Sequence, residues 1–355
     1  MRPFALIRPT QLVEARELVR AKPESRQLRA GGIDLLDRMK EGLDDPELLV
    51  ELRKVETLDA SAGVGAGDAM PGLSDEPGYD YWPESPRKAK IGALTSLAAL
   101  ASAELPGAEA AIEAAGQAAT PSIRNTATVG GNLLQRPRCW YYRNRELVCL
   151  KKGGDTCLAL TGDNRYHAIL GGGPSFIVHP SSVATALMAL DAVAEVYRGP
   201  SDTDTRQDHQ FISLADLFVG PKEDPTREHS LEPGEVLRAL WVPLGDQRSA
   251  YRAVREKRSH DWPLVEAAVR VRIDADGTLR DVRVALGHVA PIPWLSTAAA
   301  EVLEGQKPSP ELFIQAAEAA VADAKPLDGN AYKIPMTKGV LREVLHRVSD
   351  LPLPA

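Results

Sequence analysis

The stretch ATVGGNLLQRPRCWYYRNRELVCLKKGGDTC, residues Ala127–Cys157, contains a glycine turn followed by all three cysteines of the chain. The turn is Gly130–Asn132, and the cysteines are Cys139, Cys149 and Cys157. Because glycine has no Cβ, the backbone of such a turn can approach a phosphate closely. Thiolates bind soft metals and iron–sulfur clusters. The stretch therefore predicts two neighbouring cofactor sites, which is what an electron-transfer subunit needs.

The composition indicates an ordinary globular protein. A length of 355 residues predicts about two domains, and 44% of the residues are hydrophobic. A net charge of −7 gives no reason to expect nucleic acid or an anionic membrane as partner. No apolar run approaches the length of a membrane span. Three clustered cysteines do not form a disulfide framework, so we expect a reducing compartment, the cytoplasm; export with a signal-bearing partner stays open.

A second glycine pair lies near the N-terminus. Gly31-Gly32 stands between a predicted strand, Gln27–Ala30, and a predicted helix, Ile33–Met39. Backbone N–H groups at such a turn, together with the start of a helix, favour a pyrophosphate, although a plain tight turn has the same pattern. Thr126 and Thr128 add hydroxyl groups beside the later turn. Two such turns in one half of the chain favour a dinucleotide.

The cysteine spacing is C-x9-C-x7-C, which is neither the close pairing of a zinc finger nor the run of bacterial ferredoxins. Ligands of an iron–sulfur cluster need only converge in space, so a cluster is one interpretation. Three buried structural cysteines beside the aromatic Trp140–Tyr142 are the other. The spacing does not decide between them.

Strand and helix signals alternate through the first half of the chain, and strands precede helices in the last third, which predicts an α+β fold. Residues 59–88 are rich in Gly, Pro, Ser and Asp and are predicted as a long loop, and residues 220–234 as a charged linker. His260 and Asp261 are predicted in a surface charge group. Thr10 is predicted to cap the first helix.

The predicted strands are Pro3–Ile7, Gln27–Ala30, Leu48–Leu52, Lys90–Ala93, Phe176–Val178, Ala192–Tyr197, Phe211–Phe218, Glu235–Pro243, Tyr251–Glu256, Leu264–Ile273 and Leu279–Val289. The later predicted helices are Leu94–Ala103, Ala108–Ala119, Val183–Leu190, Ser296–Leu303, Pro310–Ala324 and Thr337–Arg347.

Several stretches together resemble a known family. They occur in family order, nearly end to end: QLRAGGIDLLDRMK (27–40), KIGALTSLAALA (90–101), IRNTATVGGNLLQRPRCWYYR (123–143), YHAILGGGP (166–174), ISLADLF (212–218), LEPGE (231–235) and YRAVREKRS (251–259). The chain resembles the FAD-binding medium subunit of the xanthine oxidase superfamily of molybdenum hydroxylases. It is most similar to the branch with an added [4Fe–4S] cluster, found in bacterial aldehyde oxidoreductase and 4-hydroxybenzoyl-CoA reductase.

The resemblance implies a two-part FAD-binding domain of the vanillyl-alcohol-oxidase/UDP-MurNAc-reductase (PCMH) type, followed by a C-terminal α+β flavoprotein domain. The implied FAD-binding domain is 1–228, with an N-terminal lobe at 1–58 and an iron–sulfur insertion at 135–173. The implied C-terminal domain is 229–355.

The resemblance also implies the function and its site. Partners are a large molybdenum-cofactor subunit and a small subunit with two [2Fe–2S] clusters. Electrons from substrate oxidised at molybdenum pass through these clusters to FAD and then to an external acceptor. Three ligands of the added cluster would be Cys139, Cys149 and Cys157. The implied FAD-binding residues are Gln27, Leu28, Arg29, Ala30, Gly31, Gly32, Ile33, Asp34, Leu35, Thr128, Gly130, Gly131 and Asn132.

Three positions depart from the family pattern. Ser175 stands where the family has the fourth cluster cysteine; Ser175, His167 and His179 are candidate substitutes, and a [3Fe–4S] or lost cluster stays open. Ser182 stands in place of a frequent aspartate near the flavin, and Ala253 in place of a lysine. A structural or assembly subunit of the same complex, with impaired flavin or cluster binding, is therefore the alternative hypothesis.

Overall fold

The computed structural model describes residues 1–55, 58, 65–67, 87–200, 208–257 and 260–353. They form three β-sheets with helices packed against them. The strands and helices are mixed along the chain, as the α+β prediction requires.

The N-terminal lobe contains a three-stranded parallel sheet. Its strands are β1 (Ala5–Ile7), β2 (Arg26–Arg29) and β3 (Leu48–Glu51), in the order β1-β3-β2. Helices α1 (Leu12–Arg20) and α2 (Ile33–Glu41) make the two crossovers. Parallel neighbours need such crossovers, so the alternating pattern of the sequence predicted this lobe.

The cap predicted at Thr10 is wrong. Helix α1 begins after Gln11, whose side chain makes no capping hydrogen bond. Thr10 lies one position too early for its hydroxyl to act as the cap.

The second sheet is antiparallel and has the order β4-β5-β8-β6-β7. The helices of this part of the chain lie between its strands in the sequence. The strands are β4 (Gly65–Gly67), β5 (Arg87–Gly92), β6 (Val193–Tyr197), β7 (His209–Ser213) and β8 (Val236–Leu244). The helices are α3 (Leu97–Ala101), α4 (Glu109–Gln117), α5 (Pro121–Thr126), α6 (Val129–Leu133), α7 (Trp140–Arg143), α8 (Ser182–Ala189) and α9 (Leu214–Leu217).

Several details of this part differ from the sequence prediction. β4 lies inside the segment predicted as loop, and most of that segment lies outside the described residues. Phe176–Val178, predicted as a strand, is not part of a sheet; the Phe176 carbonyl accepts one bond from Ala168 N–H at 2.9 Å. Its apolar side chains pack in loop structure, which a short apolar run cannot distinguish from a strand.

Strand β8 was predicted as the first strand of the C-terminal domain, but it pairs with β5 and β6. It is buried along nearly its whole length, as a central strand should be. The apolar sequence of this strand predicts that it is buried and central, but it does not indicate which sheet the strand joins. The division between residues 228 and 229 stays a prediction.

The third sheet is antiparallel, with the order β12-β11-β10-β9. Three helices pack beside it and close a separate apolar core around Phe313 and Val269. The strands are β9 (Arg248–Arg255), β10 (Pro263–Ile273), β11 (Leu279–Gly287) and β12 (Trp294–Leu295). The helices are α10 (Thr297–Leu303), α11 (Pro310–Ala320) and α12 (Lys333–Val348). Among the described residues, no helix has both the length and the apolar composition needed to cross a bilayer.

Two buried histidines make the stability of this fold sensitive to acid. Burial lowers the pKa of His179 and of His288 to about 3. Below a pH of about 6.5 the unfolded chain binds protons at both imidazoles that the folded chain does not bind. The free energy of unfolding should therefore fall by about 1.4 kcal/mol per pH unit and per histidine as the pH drops toward 4.

We expect His179→Gln to reduce this slope by about 1.4 kcal/mol per pH unit in urea unfolding curves recorded between pH 5.5 and pH 4, well below the unfolded pKa and above the folded one. The control is Gln306→Asn, at an exposed position with a side chain that does not titrate, and its slope should match that of the wild type. Equal slopes in all three proteins would show that burial of His179 does not suppress its protonation.

Candidate FAD cavity and cysteine site

The two glycine turns lie on one cavity of about 560 Å³. The end of β2 and the start of α2 supply one wall, and the start of α6 supplies another. Every residue predicted for FAD binding lines this cavity: Gln27, Leu28, Arg29, Ala30, Gly31, Gly32, Ile33, Asp34, Leu35, Thr128, Gly130, Gly131 and Asn132.

The two turns approach each other so closely that a side chain does not fit at Gly31. An ideal Cβ there would lie 2.2 Å from the backbone carbonyl oxygen of Thr126, the last residue of α5. Gly32 has a φ of +77°, a conformation that favours glycine, and caps α2 without a side chain. The first-turn N–H groups of α2 therefore have no capping oxygen from this residue.

The second turn is held by hydrogen bonds, one of them to the residue that follows β5. Gly130 N–H donates to the Ala93 carbonyl at 2.8 Å. Thr128 caps α6, since its Oγ1 accepts from Gly131 N–H at 3.1 Å. Asn132 Oδ1 accepts from Ser181 Oγ at 2.6 Å. The last contact connects the turn to the segment before α8.

Asp34, one of the residues predicted to bind FAD, also contacts the cysteine segment. Its carboxylate lines the cavity but binds the cysteine segment, accepting from Arg143 Nη2 at 2.6 Å and from Arg136 N–H at 3.0 Å. Arg138 Nη2 and Arg38 Nη1 are each 3.0 Å away. Burial alone would raise the pKa of Asp34, but these guanidinium groups outweigh it and hold the pKa below its usual range.

The cysteine segment is also held by a second buried carboxylate, Glu228. Lys151 pairs with it, and its Nζ also donates to the Pro225 carbonyl at 3.0 Å. Arg136 Nε lies 2.8 Å from the other oxygen of Glu228. Residues 220–234, predicted as a charged linker, thus include a packed wall of the cysteine segment. The sequence shows the charges of this segment but not their partners about 75 residues away.

Cys139, Cys149 and Cys157 come together around a small cavity of about 10 Å³ that Ser175 also lines. None forms a disulfide. Cys139 Sγ is 3.2 Å from His167 Nε2. Burial raises the pKa of Cys139 to about 11 and lowers the pKa of His167 to about 4, so both are neutral near pH 7.

Of the candidate fourth ligands, only Ser175 lines the cysteine cavity. His167 contacts one cysteine from outside it. His179 packs on Phe218, with ring centroids 4.7 Å apart. Within the described ranges, no group of three or more His, Cys, Asp or Glu side chains is arranged to hold a metal ion.

Sequence reasoning missed part of the FAD cavity wall. Arg255 and Trp262 line it, and so do His260 and Asp261, which were predicted as a surface charge group. The end of β9 and the β9–β10 connection bring these four residues to the cavity from more than 100 positions away in sequence from either glycine turn. Ser182, which the sequence indicated as a position near the flavin, also lines the cavity. Ala253, by contrast, is buried in the core of the β-sheets.

Comparisons with known proteins agree with this description. Residues 77–245 match the family model of the FAD binding domain in molybdopterin dehydrogenase, and residues 249–348 match that of the CO dehydrogenase flavoprotein C-terminal domain. The chain is 33% identical to the aldehyde oxidoreductase FAD-binding subunit PaoB of Escherichia coli K12, over 89% of each chain. It is 26% identical to the carbon monoxide dehydrogenase medium chain of Afipia carboxidovorans, over 97% of this chain and 96% of that one.

Solved structures share the fold. A Cu,Mo-CO dehydrogenase chain superposes with a TM-score of 0.69 at 22% identity, covering 99% of both chains. A chain of quinoline 2-oxidoreductase from Pseudomonas putida 86 has a TM-score of 0.67 at 19% identity, covering 98% of both.

The fold and the cavity are those of a flavoprotein with an FAD-binding domain and a second α+β domain. The chain belongs to the FAD-binding medium subunits of the CO dehydrogenase and aldehyde oxidoreductase group, within the xanthine oxidase superfamily. Its relatives are FAD subunits of oxidoreductases.

The Asp34 contacts predict a specific loss of stability. Asp34→Asn removes the charge that three arginines share, so the free energy of unfolding should fall by roughly 3 kcal/mol. The matched control is Asp37→Asn, because the Asp37 side chain is 50% exposed. Its ion pair with Arg138 should contribute less than about 1 kcal/mol. Urea denaturation of both variants measures the difference; equal losses would contradict the role of Asp34 as the shared anion.

Proposed function

We propose that this chain is the electron-transfer flavoprotein subunit of a molybdenum-dependent hydroxylase of the aldehyde oxidoreductase type. The observation that carries the proposal is the convergence of both predicted glycine turns on one large cavity. The residues fit FAD: small residues leave the backbone open to a diphosphate, and α2 presents an uncapped N-terminus beside it.

In this proposal Gln27–Leu35 and Thr128–Asn132 hold the FAD diphosphate between them. The N–H groups of the first turn and of the start of α2 supply donors together with the Thr128 hydroxyl, and Arg29, bound to the buried Glu51, is kept in position beside the turn. Bound FAD would exchange electrons between the partner's iron–sulfur clusters and an external acceptor. Trp262 and Pro263 also line this cavity.

We also propose that the cysteine site takes an iron–sulfur cluster, with Cys139, Cys149 and Cys157 as three thiolate ligands. In a cluster each ligand binds a different iron atom, so the thiols need to surround a space rather than meet at one ion. Three thiols and Ser175 surround one cavity here, which supports that arrangement. The cavity has about the volume of one water molecule, so the segment must widen to admit the cluster.

Ser175 is the preferred fourth position. It is 1% exposed and lines the cavity, whereas His167 already contacts Cys139. A serine oxygen binds iron only after losing its proton, which is less favourable than for a thiol. A [3Fe–4S] cluster or a readily lost fourth iron is consistent with a serine here. The same substitution favours the alternative, an assembly subunit in which the cluster site is impaired.

The proposed partners are a large molybdenum-cofactor subunit and a small subunit with two [2Fe–2S] clusters. Substrate would be oxidised in the large subunit, and this chain would receive the electrons. The cytoplasm is the proposed compartment, because three unpaired thiols remain reduced there.

Gly31→Ala tests the FAD cavity. Because the added Cβ would collide with the Thr126 carbonyl, the two turns must separate. We expect the purified complex to lose most of its FAD, measured as flavin absorbance after acid release. Gly339→Ala is the control, since its Cβ would meet nothing within 4 Å in α12. Wild-type complex without flavin would refute the proposed function, and full flavin content in Gly31→Ala would refute the assignment of the turns.

Ser175→Cys tests the cluster. A fourth thiolate should raise iron and acid-labile sulfide per chain and change the low-temperature EPR spectrum toward that of a [4Fe–4S] cluster. Cys149→Ser should lower both. Iron content that is the same in both variants and in the wild type would exclude a cluster at this site.

A further inference from the structure

Glu266, in the middle of β10, is a fully buried acid one side chain away from the FAD cavity. Its Oε2 is 2.8 Å from Ser182 Oγ and 2.6 Å from the Tyr251 hydroxyl, and its Oε1 is 2.8 Å from Thr185 Oγ1. Ser182 lines the cavity. The Ser182 hydroxyl therefore stands between the carboxyl group and the cofactor site.

The space around this carboxyl group is kept by glycine on the neighbouring strand. An ideal Cβ at Gly287, the last residue of β11, would lie 2.0 Å from Glu266 Oε1 and 2.3 Å from Thr185 Oγ1. No side chain other than glycine's fits there without moving the acid. The hydroxyls of α8, the phenol of β9 and the glycine of β11 thus form one specific site for a carboxyl group.

The surroundings favour the protonated acid. Burial raises the pKa of Glu266 more than its hydroxyl hydrogen bonds and the more distant Arg255 lower it. Burial also keeps the pKa of Tyr251 well above its usual value. His288 Nε2, 4.0 Å from Oε2, belongs to a neutral imidazole near pH 7. The titratable and charged groups that face Glu266 are Tyr251 and Arg255 from β9 and His288 after β11.

A proton donor at this place has a use, given the proposed function. Iron–sulfur clusters deliver electrons without protons, whereas the two-electron reduction of a flavin also takes up protons. The cavity therefore needs a route for protons that is separate from the route for electrons.

We propose that Glu266 provides this route, acting through the Ser182 hydroxyl. The O–H bond of Glu266 breaks as its proton moves to Ser182 Oγ, and the proton of Ser182 passes to the cofactor. The two electrons come from the partner's clusters, and this path carries one of the protons. The reverse transfers return the proton to Glu266 when the electrons leave for the external acceptor.

The test compares Glu266→Gln and Ser182→Ala with the wild type in the assembled, FAD-containing complex. Glu266→Gln keeps the shape and the hydrogen bonds but holds no transferable proton. We expect the flavin midpoint potential of the wild type to change its dependence on pH where Glu266 titrates, and this change to be absent in Glu266→Gln. Stopped-flow reduction by dithionite should slow by roughly a hundredfold in both variants. The solvent isotope effect in D2O should be larger in the variants than in the wild type, because proton delivery then limits the rate.

Two variants serve as controls. Ser182→Thr retains a hydroxyl and should recover most of the rate that Ser182→Ala loses, and Thr185→Val removes one hydrogen bond of Glu266 while leaving its contact with Ser182. Glu266→Gln with wild-type pH dependence and rate would overturn the proposal. A loss of FAD in Thr185→Val, or a loss of rate as large as that in Glu266→Gln, would also overturn it, because either result indicates a structural role for the site. Absence of FAD from the wild-type complex would instead contradict the proposed function.

Discussion

The contact between Gly31 and the Thr126 carbonyl is the constraint on which the FAD cavity depends. The first turn follows β2 of the small parallel sheet, and the second lies at the start of α6, bonded to Ala93 after β5 of the antiparallel sheet. Gly31 brings the two parts together by its close approach to the end of α5. A missing Cβ at one residue permits that approach. The cavity wall from β2 to α2 and the wall at α6 are then positioned relative to each other by backbone alone, without long side chains that could change rotamer.

The same lobe is joined to the cysteine segment through Asp34. Sequence similarity predicts this residue as a cofactor contact, and in the structure it is the anion shared by Arg38, Arg138 and Arg143. A carboxylate at the start of α2 is also favoured by the helix dipole. Asp34 thus connects the start of α2, beside the first glycine turn, with the cysteine segment through direct contacts.

The parts of the site that follow local rules could be predicted from the sequence. Glycine pairs between a strand and a helix, and the hydroxyl of Thr128 as a helix cap, depend on neighbours a few positions away. The parts that depend on contacts between distant residues could not be predicted. These are the pairing of β8 within the second sheet, the ion pair of Glu228 with Lys151, and the position of the apolar run at Phe176 outside the sheets. Glu266 illustrates the limit best, since in sequence it is one acid in an apolar strand. Its hydroxyl partners come from α8 and β9, about 80 and 15 positions earlier.

The two carboxylates that hold the cysteine segment have a consequence for the cluster proposed there. Asp34 accepts from Arg143, Glu228 pairs with Lys151, and the cavity between the thiols has a volume of only about 10 Å³. If the proposed cluster is inserted, the segment must open, and these ion pairs would have to break or move with it. Insertion would then be easier before the pairs form than after.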